Sequence, residues 1–95
     1  MLNIKYEQNE NVRTYYLDGE LDTQTAIMLS ETVDTASCDE IIFDLANLKY
    51  ITSAGIRVLV AKSMEMKRKG GHISVCNENT IVKQIFDLVG LRNAF

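Results

Sequence analysis

Thr52, Ser53, Ala54 and Gly55, within the stretch "LKYITSAGIRVLV", are the residues of this 95-residue chain best placed to do chemistry. Two adjacent hydroxyls and a glycine stand just before an apolar helical pattern, where a helix offers unpaired backbone N–H groups and a partial positive charge. Four chemistries fit that position: helix capping, nucleophilic catalysis, phosphate binding and reversible phosphorylation.

As a cap, Ser53 or Thr52 would accept a hydrogen bond from a free N–H and contribute ~1 kcal/mol, which is compatible with any further role. A serine nucleophile needs a base within hydrogen-bond reach. The only histidine, His72, lies beyond the far end of the helix, about 24 Å away at ~1.5 Å per residue, so geometry argues against an enzyme. His72 reads instead as an exposed or capping residue at a strand start. A nucleotide cradle would need more glycine than Gly55 alone, and neither G-x-x-x-x-G-K-[ST] nor G-x-G-x-x-G occurs. No cofactor or metal is expected. A phosphoryl group on Ser53 would suit the helix N-terminus and would be felt instead by whatever docks there.

Period-two alternation through Leu2–Glu7 and Val12–Asp18 predicts an antiparallel hairpin turned at "QNENV". Asp22 is the expected N-cap of a first helix running to about Ser37, with Ala26, Leu29, Val33 and Ala36 at helical spacing. "EIIFDL" reads as a central strand buried on both faces. A second helix follows Ser53, with Ile56, Leu59, Val60, Ser63 and Met64 inward, and Gly70 and Gly71 end it. "HISVC" is a fourth strand. A third helix carries Ile81, Val82, Ile85, Leu88 and Val89 and stops near Gly90.

The fold class is therefore α/β, a single domain over residues 1–95 in the order β-β-α-β-α-β-α, with a mixed sheet of about four strands covered by helices. Each βαβ crossover makes its strands parallel and gathers the following helix N-termini at one end. That end carries "GELD", "TSAG" and "NENT", and ligands of parallel α/β sheets meet the carboxyl ends of the strands. Asp22 caps the first helix and, standing beside Ser53, has partner contact as a secondary role. Val58, off the apolar stripe of the second helix, is a further candidate for the docking surface.

A composition of 46% hydrophobic and 24% charged residues, with no Pro, excludes a disordered chain. The net charge of −3 gives no drive toward nucleic acid. Without a run of ~18 apolar residues or an apolar leader in "MLNIKYEQNE", no membrane insertion is expected, and the protein is assigned to the cytoplasm. Cys38 and Cys76 lack metal spacing and fall roughly 17 Å apart along parallel strands at ~3.3 Å per residue, so reduced thiols are expected.

"GELD", "IIFDLANLKYITSAGIRVL" and "GGHISVCNENTIVKQIFDLVGL" together resemble the STAS domain of bacterial anti-sigma factor antagonists, from about Ile4 to Leu91. The resemblance implies partner switching. The unphosphorylated protein binds an anti-sigma factor that is an ATP-binding serine kinase, phosphorylation breaks the complex, and a serine phosphatase restores it. The family's phosphoacceptor falls on Ser53, with Asp22, Thr52, Ala54, Gly55 and Val58 around it as the expected partner-binding residues. Thr52 stands where switching members commonly carry Asp. The short C-terminus, "RNAF" after Leu91, would expose an apolar patch that favours a homo-oligomer or an intimate partner. The alternative implied function is a phosphorylation-independent STAS subunit of a lipid ABC transport complex or a signalling scaffold.

Overall fold

Alternating side chains along β1 (Leu2–Asn9) and β2 (Val12–Leu21) close them into an antiparallel hairpin, pairing Leu2, Ile4 and Tyr6 with Gly19, Leu17 and Tyr15. The computed structural model describes residues 1–88 of the chain. After the hairpin come α1 (Thr23–Thr32), β3 (Glu40–Ile51), α2 (Ser53–Arg68), β4 (His72–Cys76) and α3 (Thr80–Leu88). The sheet order is β1-β2-β3-β4, with β2, β3 and β4 mutually parallel.

Each crossover steps to the next strand in the same direction, and right-handed connections of that kind put their helices on one face of the sheet. Tyr15, Leu17, Ile41, Phe43, Leu45 and Ile73 point into that face. They form one core with Leu29 of α1, Leu59 and Met66 of α2, and Val82 and Phe86 of α3. The opposite face carries half-buried Ile42 and Asp44 and exposed Tyr16, none of them part of the core. β3 is thus central as expected, but it is buried on one face and not on both.

β3 is also twice as long as the apolar run that announces it. Beyond Leu45 its inward residues are Leu48 and Ile51, a spacing of three that matches no simple strand. Two register shifts against β2 explain the spacing: Tyr16 and Asp18 pair with Asp44 and Asn47, then Gly19 and Glu20 pair with Leu48 and Tyr50. Each shift adds one residue to β3, and each reverses which side chains face the core. Polar side chains serve this irregular stretch. Asp44 Oδ1 accepts from Ala46 N at 3.0 Å, and Asn79 Nδ2 donates to Leu48 O at 2.9 Å.

Helix α1 ends at Thr32, not at Ser37, because the following backbone finds partners elsewhere. The buried Tyr15 hydroxyl accepts from Asp34 N at 3.0 Å and from Arg13 Nη1 at 3.1 Å. Asp34 turns the chain by accepting from Ala36 N at 2.9 Å and from the Ser37 hydroxyl. Lys69 Nζ donates to Thr35 O and Cys38 O at 2.8 and 2.9 Å. Continuing the helix would forfeit these bonds.

Two helix faces are also rotated from expectation. In α2 the inward residues are Gly55, Leu59, Ser63 and Met66, while Met64 is exposed. In α3 they are Val82 and Phe86, with Ile81 and Leu88 exposed. Val89, Gly90 and the terminal residues Leu91–Phe95, including the apolar patch expected of a short C-terminus, lie outside the described residues. Cys38 is buried before β3 and Cys76 ends β4, both as free thiols that burial pushes toward higher pKa.

Asn79 sets the roll of α3, since its Oδ1 accepts from Val82 N at 2.8 Å while its Nδ2 holds the β3 carbonyls. Asn79→Ala should lower unfolding free energy by about 1–2 kcal/mol in urea titration, through loss of both cap and tether. Asn79→Asp keeps the cap acceptor and should recover only part of that loss.

Candidate functional site

Leu21 and Ile51 end β2 and β3 as paired neighbours, and the next residues of each strand build the site. Thr52 N and Thr52 Oγ1 both donate to Leu21 O, at 2.9 and 3.2 Å. Thr52 is the N-cap of α2 by position, yet its side chain makes no capping bond because the hydroxyl is turned to β2. Ser53 is the first helical residue, exposed, and its hydroxyl has no hydrogen-bond partner among the described residues. The reading of Ser53 or Thr52 as a side-chain cap is therefore corrected. A residue already inside the helix directs its side chain outward, and Thr52 spends its proton on a neighbouring strand.

Asp22 caps α1 as expected. Its Oδ1 accepts from Thr25 N at 2.9 Å and Gln24 N at 3.0 Å, and Thr25 Oγ1 accepts from Asp22 N at 2.8 Å, a reciprocal capping box. These bonds, the Thr25 amide first, hold the carboxyl below the usual carboxylate range. Every bond that the carboxylate accepts, including one from the Thr25 hydroxyl at 3.1 Å, falls on Oδ1. Oδ2 accepts no hydrogen bond among the described residues.

Gly55 is buried under this end of the sheet. A Cβ there would stand 2.5 Å from Leu21 Cγ and 3.0 Å from Ile51 Cγ1, so only glycine lets α2 approach β2 and β3 this closely. Ala54 and Val58 are half-buried and line a groove toward α1. Leu21 joins the expected residues as the common anchor, its carbonyl holding Thr52 and its side chain lying against Gly55. A glycine at the third position of a helix, where it costs helix stability, is the sequence signal of that approach.

The third loop does not reach the others. β4 stops where Cys76 pairs with Asp44, and Asn79 meets β3 at Leu48, short of Ile51. His72 opens β4 beside Glu40, at the opposite end of β3 from Ser53. No cluster of metal-ligating side chains occurs among the described residues.

The STAS domain profile matches residues 3–95. The chain belongs to the STAS domain family. This STAS domain is 32% identical over 94 residues to the "Anti-sigma F factor antagonist" of Paenibacillus polymyxa, covering 95% of the chain and 80% of that protein. Its fold matches an anti-sigma factor antagonist from Mycobacterium paratuberculosis with a TM-score of 0.87 at 22% identity, covering 100% of this chain and 83% of the other. It also matches the unphosphorylated form of SpoIIAA, with a TM-score of 0.81 at 21% identity, covering 94% and 82% of the two chains. No helix of the described residues is long and apolar enough to cross a membrane.

Two outcomes test the geometry. Gly55→Ala should lower the melting temperature, with about 1–3 kcal/mol of overpacking against Leu21 and Ile51 outweighing the helix propensity that Ala gains. Because the folded Asp22 carboxyl titrates below its unfolded value, its contribution is present above the unfolded pKa and lost as pH falls through the folded one. Stability should thus decline below about pH 4. Asp22→Asn, which can still cap, should show a shallower decline in urea midpoints measured from pH 7 to pH 3.

Proposed function

We propose that this STAS domain is an anti-sigma factor antagonist that acts by partner switching, with Ser53 as its phosphoacceptor. In the unphosphorylated state it binds an anti-sigma factor that is an ATP-using serine kinase, and so frees the sigma factor. The kinase transfers the γ-phosphoryl group of ATP to Ser53 Oγ, whose proton departs, leaving ADP. A serine phosphatase returns the hydroxyl by hydrolysis. The chain supplies a surface and an acceptor, works in the cytoplasm and turns over no substrate itself.

The observation that carries this reading is the contrast between two adjacent hydroxyls. Thr52 donates to Leu21 O, whereas Ser53 is exposed and unpaired on the first turn of α2. A kinase reaching this end finds one hydroxyl free to enter its active site. The antagonist name of the Paenibacillus polymyxa relative supports the same function.

Electrostatics supply the release. Phosphorylation adds a charge of about −1.5 to −2 at a position where the helix N-terminus favours it, so the fold tolerates the change. A partner packed over Ser53 does not. It faces a dianion added to the free oxygen of Asp22, and it must desolvate or repel both. Thr52, Ala54, Gly55 and Val58 contribute the surrounding contact surface or shape it from beneath.

Affinity purification of wild-type, Ser53→Ala and Ser53→Asp forms from the native cell, with mass spectrometry of residue 53, tests the proposal. Wild type and Ser53→Ala should retain an ATP-binding serine kinase that Ser53→Asp binds at least about a hundredfold more weakly, a loss of ~2.7 kcal/mol. Phosphate should be found on Ser53 and not on Thr52. Retention of the same transport or scaffold proteins by all three forms, with Ser53 unmodified, would overturn it.

A further inference from the structure

Beside Ser53, α1 and α2 leave between them an apolar groove of about 490 Å³. Ala54, Val58 and Ala61, on one face of α2, make a shallow floor of small side chains. Ile27 of α1 stands beside it, 62% exposed. Glu31 lies on the α1 wall and Arg57 on the α2 wall; both are exposed, and neither forms an ion pair among the described residues. A projecting β-branched residue over an apolar depression is the kind of surface that a partner covers.

The pattern on this face also indicates which partner. It offers a knob and a hole side by side, and one charge of each sign on facing walls. A partner rich in one sign of charge would satisfy one wall and leave the other with an unpaired charge at a desolvating rim, which is costly. A second copy of the chain carries both complements. In a two-fold interface every contact occurs twice, so one knob-and-hole fit and one opposite-charge contact each become two. Since α1 and α2 follow parallel strands, such a dimer stacks as sheet, two helix layers and sheet.

We propose that the α1–α2 groove is the interface of a two-fold homodimer, in which Ile27 of each copy enters the hole formed by Ala54, Val58 and Ala61 of the other, and Glu31 of each copy pairs with Arg57 of the other. The hole shares Ala54 and Val58 with the surface proposed for the kinase, so the dimer and the kinase complex exclude one another, while Ser53→Ala should leave the dimer itself unchanged.

Sedimentation equilibrium of the full chain from about 1 μM to about 1 mM reads the association directly. Wild type should dimerise within that range. Ile27→Asp should weaken the dimer at least about tenfold by placing a charge in an apolar hole. Glu31→Arg and Arg57→Glu should each weaken it about tenfold, since each creates two like-charge contacts. The combined E31R/R57E chain should return to within about threefold of wild type, because the swapped pairs re-form across the interface. All three positions are exposed, and circular dichroism melts should show the variants folded. Wild type that stays monomeric to about 1 mM would overturn the proposal and leave the groove to a different partner. A charge swap as weak as its single variants would overturn it too, by removing the cross-copy pairing.

Discussion

Leu21 must lie beside Ile51 although β3 takes two more residues than β2 to get there. From Tyr16 to Leu21 the second strand advances five residues, while its partner runs seven, from Asp44 to Ile51. With one extra residue Ile51 would turn outward and carry Thr52 and the start of α2 with it; with two, the facing is restored. Leu48 is inward only because it falls between the two irregularities. The clasp of Thr52 on Leu21 O, the contact of Gly55 with Leu21 and the outward position of Ser53 all follow from that register.

The same register marks where the sequence was legible and where it was not. Alternation in β1 and β2, the capping residue Asp22, the glycine pair after α2 and the crossover order could be read because each rests on local chemistry or simple periodicity. The length of β3 could not, since Leu45, Leu48 and Ile51 recur every third residue and imitate neither a strand nor a core helix. The end of α1 was hidden for a different reason. Val33 and Ala36 continue a helical spacing, but Tyr15, Lys69 and Gln8 bond the backbone at Asp34, Thr35, Ser37 and Cys38 from across the chain. Long-range side-chain partners leave no trace in a local pattern.

Helix faces follow a similar lesson. Hydrophobicity alone allowed Met64 and Leu88 inward, whereas the structure buries Met66 and Phe86. In α2 the roll is set by Gly55, the one residue small enough to lie against Leu21, and Leu59, Ser63 and Met66 come inward at helical steps from it. In α3 it is set by Asn79, whose amide belongs to β3 and whose oxygen belongs to the helix. A single steric or polar anchor at a helix start decides the roll of the whole helix.

That anchoring bears on how the end of the sheet can act as a switch. The first intrahelical bond of α2 runs from Ile56 N to Thr52 O at 3.0 Å, and no side chain caps the amides before it. A carboxylate at position 52 could not donate to Leu21 O; it would instead be free to turn toward those amides and neutralise them. With threonine there, the hydroxyl tethers the strands and residue 52 leaves the positive end of α2 without a side-chain cap. A partner can meet that end with an acceptor of its own while Ser53 is unmodified. Under the proposed switch, a phosphoryl group on Ser53 would give the chain its own anion at the same place, and the partner would lose an attraction as it gained a repulsion. Thr52 thereby holds Ser53 in position and, under that proposal, would also sharpen the change that phosphorylation of Ser53 produces.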